Sequence, residues 1–172
     1  MSLAVIIVLR LLHVVGGVAW AGATFMLAGF VAPTIEELGT DGGKFMQSMS
    51  SQTKFNQYMA ASAGLTVVSG ILLYWNSSGG LNTSWITSGT GLVFTIGGIA
   101  ALIQFVMGIA VVSPASRKLG ELGSKAALAG GPPPPEVLAE MKAAQDKLVS
   151  FGRIGAYLLL IAVICMAVAP YS

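Results

Sequence analysis

The chain has 172 residues, of which 55% are hydrophobic and only 9% are charged, and its formal net charge is +2. Ordinary water-soluble domains carry about 25% charged residues. The apolar residues lie in long blocks, so the composition argues for an integral membrane protein and against a soluble enzyme, a nucleic-acid binder or a secreted disulfide scaffold. The single cysteine, Cys165, excludes an intrachain disulfide.

Four apolar blocks predict four membrane spans, because a helix needs about 20 apolar residues to cross the hydrocarbon layer. The first block is too long for a cleaved signal peptide, whose apolar region has about 7–15 residues. We predict an all-α, antiparallel four-helix membrane bundle that forms one domain over 1–172, with Pro33 ending the first span. The predicted spans are about 3–31, 58–75, 91–112 and 154–169.

The placement of Lys and Arg predicts the orientation of these spans. Outside the spans, every basic residue falls in the segments 32–57 and 113–153. We therefore expect these two segments to be cytoplasmic and both termini to be non-cytoplasmic. Tyr and Trp residues mark the predicted membrane boundaries, as interfacial belts do: Tyr74, Trp75, Trp85 and Tyr171 on the outer side, Tyr58 and Tyr157 on the inner side.

The predicted cytoplasmic segments have helical spacing. Arg117, Glu121 and Lys125 recur every four residues, which predicts a charged face on a continuation of the third helix. A Gly-Gly-Pro-Pro-Pro-Pro run at 130–135 predicts a break, so that a helical hairpin covers about 115–150. Its second helix has an apolar side made of Val137, Leu138, Met141 and Leu148.

The segment Lys44–Gln57 is predicted to be helical and to run into the second span. Two interpretations of these cytoplasmic helices stay open. They are either solvated helix ends or a surface that binds a partner.

Ionisable residues within a span are expensive and therefore mark candidate functional positions. Arg10 and His13 share one face of the first span, which continues through Gly17, Trp20 and Thr24. Arg10 is close enough to the boundary to reach the headgroups as an interface anchor. His13 can ligate haem, hydrogen-bond a quinone, or form a structural hydrogen bond to Thr66 or Ser69. Met166 is a candidate second haem ligand, because His/Met pairs occur.

Other polar residues in the spans predict close helix packing. Gln104 shares a face with small residues, and hydroxyl residues line the second span, as in helices that pack closely in membranes. These sets are Gly97, Ala101 and Gly108 beside Gln104, and Ser62, Thr66 and Ser69 on the second span. The spans contain no Asp or Glu, which argues against proton- or sodium-driven transport. No catalytic or metal-binding motif is found, so we predict neither catalytic residues nor a metal site.

The stretch from Leu12 to Gly22, LHVVGGVAWAG, resembles the first helix of small bacterial membrane proteins. These are the copper-resistance D-type proteins, the membrane protoporphyrinogen oxidases and uncharacterised four-helix relatives. The stretch from Pro135 to Ala169 is similar to the end of the uncharacterised relatives. The resemblance implies a four-helix bundle in a bacterial inner membrane, with His13 as a haem or porphyrin contact. The chain lacks the further histidines of the oxidase type.

Together these observations lead us to expect a non-catalytic accessory subunit of a larger membrane complex, with the lipid bilayer and other integral membrane subunits as partners. Electron transfer, in a respiratory or photosynthetic quinol-handling complex, is suggested by the resemblance and by His13. The alternative is a stand-alone haem- or porphyrin-binding redox protein that uses His13, Arg10 and Met166 as cofactor contacts. Copper handling, small-solute transport and sensing are the remaining alternatives.

Overall fold

The computed structural model describes residues 1–129 and 132–172. Within these residues all regular structure is helical, which confirms the predicted all-α class. Among the described residues, four helical segments are long and apolar enough to cross a membrane, which confirms the predicted number. These segments are Leu3–Leu38, Phe55–Ser77, Gly89–Ala129 and Pro135–Tyr171.

The helices in chain order are α1 Leu3–Met26, α2 Ala32–Leu38, α3 Thr40–Gln52, α4 Phe55–Ser77, α5 Thr83–Ile86, α6 Gly89–Met107, α7 Ser113–Ala129 and α8 Pro135–Val168. Two π-helical turns each join two of these helices into one longer helix. Leu27–Val31 joins α1 to α2, and Gly108–Val112 joins α6 to α7. A 3₁₀ turn, Ala169–Tyr171, follows α8.

Each π turn ends two residues before a proline, Pro33 or Pro114. A proline lacks the backbone N–H, and its ring crowds the carbonyl four residues earlier. In both turns the chain instead uses a five-residue bond: the N–H of Ala32 donates to Leu27 O, and that of Ser113 donates to Gly108 O. The wider turn makes room for the ring, so the helix continues through Pro33 to Leu38 instead of ending where the sequence predicts.

The predicted continuous helix over Lys44–Gln57 is interrupted. Thr53 is extended, with φ −103° and ψ 161°, and its Oγ1 accepts a hydrogen bond from the N–H of Phe55 at 3.2 Å. The threonine therefore ends α3 and caps the start of α4, as hydroxyl residues at helix N-termini do.

The predicted break at 130–135 lies partly outside the described residues, because Gly130 and Gly131 are not among them. Residues 132–134 are not helical, and α8 begins at Pro135. Proline is favoured at this first position, where its missing N–H costs no helical hydrogen bond.

The chain forms two compact units. The apolar unit comprises Met1–Ala23, Met59–Val106 and Ala156–Ser172, and the charged unit comprises Thr24–Tyr58 and Met107–Gly155. Every Asp, Glu, Lys and Arg except Arg10 belongs to the charged unit.

The apolar unit has its large hydrophobic side chains on the outside. Val18 is 70% exposed, and exposed valine, leucine and isoleucine residues line all four of its helical segments. Apart from Trp20, Gln104 and Leu159, the buried positions hold small or hydroxyl residues, including Ser62, Ala63, Thr66, Ser69, Ala100 and Ala162. Small residues inside and large apolar residues outside are typical of helices that pack in lipid.

Glycines allow the helices of the apolar unit to approach closely. A Cβ added at Gly16 would lie 2.7 Å from Thr66 Oγ1, between α1 and α4. A Cβ added at Gly97 would lie 2.8 Å from Cys165 Cβ, between α6 and α8. The close packing predicted for Gly97 is thereby confirmed.

Both chain termini lie at the same end of the apolar unit. The N-terminal ammonium of Met1 donates to Asn76 Oδ1 at 3.2 Å, and Thr90 Oγ1 donates to the carbonyl of Ser172 at 2.8 Å. Trp85 stands between two aromatic rings at this end, edge-on to Tyr74 and stacked on Phe94. An even number of spans requires the two termini to share an end.

The charged unit has its own apolar core. Its buried members are Ile35, Met46, Leu119 and Ala144, from α2, α3, α7 and α8, with Val31, Met49, Met141 and Leu148 packed against them. Two ion pairs link helices on its surface: Lys118 with Glu140 at 2.9 Å and Arg153 with Glu36 at 3.2 Å. The cytoplasmic segments predicted from the sequence are therefore parts of a packed helical unit.

One exposed ion pair shifts two pKa values within α3. Lys44 Nζ donates to Asp41 Oδ1 at 2.8 Å. This hydrogen bond, and secondly the charge of each group, lowers the pKa of Asp41 and raises the pKa of Lys44. Because both side chains are exposed, the pair contributes little to stability.

Candidate functional site

His13 faces α4 across the interface with α1 and is half-buried. Its Nδ1 lies 2.8 Å from the backbone carbonyl oxygen of Thr66. A carbonyl oxygen can only accept, so Nδ1 must carry the proton and donate it. A neutral imidazole in this position therefore presents the lone pair of Nε2 away from the bond.

Gly70 makes room for the imidazole. A Cβ added at Gly70 would lie 2.8 Å from His13 Cε1 and 3.0 Å from Nδ1, so any larger residue would displace the ring. Gly70 is not among the residues predicted at this site. The sequence does show that Gly70 lies one helical turn after Thr66, which places both residues on one face of α4.

The hydroxyl side chains of α4 donate to backbone carbonyls of their own helix, and Ser69 reaches the Thr66 carbonyl that His13 uses. Thr66 Oγ1 donates to Ser62 O at 2.7 Å, and Ser69 Oγ lies 3.2 Å from Thr66 O, as a second donor to it. These side chains bond within their own helix, which leaves its surface smooth for close packing against α1. They therefore serve packing, as predicted.

The second ring nitrogen of His13, Nε2, has no hydrogen-bond partner within residues 1–129 and 132–172. A histidine that binds a metal through one nitrogen typically donates from the other to a carbonyl or carboxylate. His13 is therefore a residue that would hold a haem iron through Nε2, and a bound haem would supply one-electron redox chemistry. The same Nε2 fits as the acceptor of a quinol hydroxyl.

The two other predicted cofactor contacts have different surroundings. Arg10 is exposed and forms no ion pair with any described residue. Met166 is half-buried against α6, with its Cε 3.6 Å from a Cβ added at Gly97, whereas the contacts of His13 lie on α4. Their roles as cofactor ligands stay predictions. Within the described chain, no three His, Cys, Asp or Glu residues are grouped to hold a metal ion.

Gln104 is a buried polar residue of α6 whose side-chain oxygen has no partner among the described residues. The residue is 6% exposed, and its Oε1 is buried without a hydrogen-bond partner in the described part of the chain. Such an unpaired acceptor typically costs about 1–3 kcal/mol. Close packing in this part of α6 therefore comes from its glycine and alanine residues.

Two leucines of the charged unit project outward near the turn between α7 and α8. Leu128 is 88% exposed and Leu138 is 50% exposed; together we call them the tip surface. The sequence places Leu138 on the apolar side of its helix, but the core-facing positions are Met141, Ala144 and Leu148, spaced by the helical repeat. Leu138 falls beside that row and faces outward.

The tip surface is far along the helices from the apolar segments. From Val112 to Leu128 the helix extends about 24 Å at 1.5 Å per residue, and the same length separates Leu138 from Ile154 in α8. Both leucines are therefore exposed among charged residues, well beyond the apolar segments of the same helices.

Comparisons with known proteins add no further information: no family model, curated protein or solved structure matches the chain. The resemblance of the Leu12–Gly22 stretch to small bacterial membrane proteins therefore stays a prediction.

Proposed function

We propose that the chain is a multi-pass inner-membrane protein with both termini on the non-cytoplasmic side, and that it is a non-catalytic accessory subunit of a larger membrane complex. The tip surface carries this proposal. It consists of Leu128 and Leu138, exposed at the turn of a packed, charged helical unit. Burying one leucine against a partner is worth about 1.5–3 kcal/mol.

The rest of the molecule is consistent with a subunit role. The apolar unit exposes large hydrophobic residues on all four helical segments, which suits contact with lipid and with other membrane helices. The resemblance of the first helix and the geometry of His13 favour an electron-transfer complex that handles quinols. In such a complex His13 would face a cofactor or quinol held mainly by another subunit.

Substitution of the tip surface should release the partner subunits. We expect Leu128→Gln/Leu138→Gln to lose most of the proteins that co-purify with the tagged wild-type chain in mild detergent, because the partner then covers polar side chains. The matched control is Leu38→Gln, which removes a leucine of the same unit that is 55% exposed and lies away from the turn. Quantitative mass spectrometry of the eluates measures the effect, and equal partner recovery from both variants would contradict the proposal.

A second candidate function is a stand-alone haem- or porphyrin-binding redox protein. The observation that favours it is the hydrogen bond from His13 Nδ1 to Thr66 O, which orients Nε2 as a ligand. Here His13 binds the iron, while Thr66 fixes the ring through its backbone.

The optical spectrum of the chain purified from its native membrane tests this second function. A haem protein of this kind shows a Soret band that His13→Ala removes. Thr66→Val is the control that retains the band, because it keeps the backbone carbonyl that holds Nδ1. A wild-type protein without a Soret band would contradict the haem-binding function.

A further inference from the structure

A groove of about 570 Å³ runs along the junction between the second π turn and α7. Its lining residues are Ile109, Ser113, Pro114, Arg117, Lys118 and Glu121. All of them belong to the charged unit. The groove starts where the apolar stretch Gly108–Val112 gives way to polar residues, which is also where the predicted third span ends.

Four of the lining residues stand on one helical face in a fixed chemical order. Along the groove the side chains change from apolar to hydroxyl, then to a cation and then to an anion. The residues in this order are Ile109, Ser113, Arg117 and Glu121, each four positions after the one before. Each step corresponds to about 6 Å along the helix. The cation therefore lies between the apolar end and the anion.

The charges of this row are open to a ligand. Lys118 is held away by its ion pair with Glu140, at 2.9 Å. Arg117 and Glu121 form no ion pair with any residue that the structure describes, and the hydroxyl of Ser113 has no hydrogen-bond partner among them. An arginine four residues before a glutamate is the less favourable order for pairing along a helix, which explains why the two groups stay apart.

We propose that this groove binds the headgroup of a phospholipid that carries a free ammonium, such as phosphatidylethanolamine. The phosphate accepts hydrogen bonds from the Arg117 guanidinium, whose planar fork matches phosphate oxygens, and from the Ser113 hydroxyl. The ammonium donates to the Glu121 carboxylate, and the acyl end lies along Ile109. The order of charges in the groove matches the order of charges in this headgroup.

The combination of Arg117 and Glu121 in one groove discriminates between classes of phospholipid. Phosphatidylcholine has no N–H to donate to Glu121. Phosphatidylglycerol offers no cation to Glu121, so the charge of that carboxylate stays unbalanced. The inference rests on the membrane insertion that the proposed function includes, but not on the subunit role.

Native mass spectrometry of the full chain in detergent, with each lipid added in turn, tests the inference. We expect the wild type to retain phosphatidylethanolamine about fivefold more than phosphatidylcholine or phosphatidylglycerol. Arg117→Gln should lower this retention about fivefold, since it removes the charged hydrogen bonds to the phosphate. Glu121→Gln should make phosphatidylethanolamine and phosphatidylcholine equal. Lys125→Gln, an exposed charge of the same helix outside the groove, should change neither value.

Three results would overturn the inference: equal retention of the three lipids by the wild type, equal behaviour of Arg117→Gln and Lys125→Gln, or displacement of the lipid by inorganic phosphate at equal concentration. The last result would identify a site for a free anion. Failure of the inference is separable from failure of the proposed function. A selective chain that purifies without partners refutes the subunit role alone, and a chain with partners but without lipid selectivity refutes the groove alone.

Discussion

Replacement of Gly42 by alanine is expected to destabilise the charged unit by about 2–3 kcal/mol. A Cβ at this position would overlap the backbone of Ile35, with Ile35 Cα at 2.8 Å and its carbonyl oxygen closer still. Backbone atoms cannot rotate away as the end of a side chain can, so α2 and α3 must separate. Overpacking of this kind typically costs about 1–3 kcal/mol, and Ile35 is the centre of the core of the unit.

The neighbouring glycine provides the matched control. A Cβ added at Gly43 meets nothing within 4 Å, so Gly43→Ala should be neutral or should stabilise α3 by up to about 1 kcal/mol through helix propensity. Thermal unfolding in detergent, together with limited proteolysis between α2 and α3, compares the two variants. Equal stability of Gly42→Ala and Gly43→Ala would show that the two helices do not meet as described.

Replacement of Gly97 by alanine should destabilise the apolar unit by about 1–3 kcal/mol. The new Cβ would lie 2.8 Å from Cys165 Cβ and 3.3 Å from the carbonyl oxygen of Ala162, which forces α6 and α8 apart. Gly98→Ala is the control, because a Cβ there meets nothing within 4 Å.

A second substitution separates this contact from a general loss of stability. In the Gly97→Ala background, Cys165→Gly removes the opposing Cβ and should restore part of the lost stability, whereas Cys165→Ala keeps that Cβ and should not. Thermal unfolding of the wild type, of Gly97→Ala, of Cys165→Gly and of the double variant gives the coupling energy between the two positions. A coupling energy of zero would contradict the close contact of α6 and α8.

The four long helices could be predicted because bilayer thickness sets the length of an apolar run directly. The course of the helices at Pro33 could not, since it depends on whether the preceding turn widens to a five-residue bond. The hydrophobic pattern of the sequence is the same whether the turn widens or the helix ends. The break at Thr53 was hidden for a similar reason: one capping hydroxyl ends α3 within a sequence that otherwise reads as helical.

Prediction of the candidate site was limited by helix rotation. Depth along the span brings His13 and Thr66 to the same level, so their contact could be foreseen. Whether the imidazole meets the hydroxyl or the carbonyl depends on how α1 and α4 are rotated, and Gly70 decides it by leaving space for the ring. The same limit applies to Leu138. It lies on α8 just beside the row of core residues Met141, Ala144 and Leu148, and a small rotation of the helix decides whether such a position is buried or exposed.

The mass and composition of the assembly that contains the wild-type chain, extracted from its native membrane in mild detergent, test the subunit role most directly. The proposed function predicts a complex well above the 17.6 kDa of the chain, with other integral membrane proteins in fixed ratio, that disassembles in Leu128→Gln/Leu138→Gln. A wild-type chain that leaves the membrane alone, with no stoichiometric partner, would contradict it.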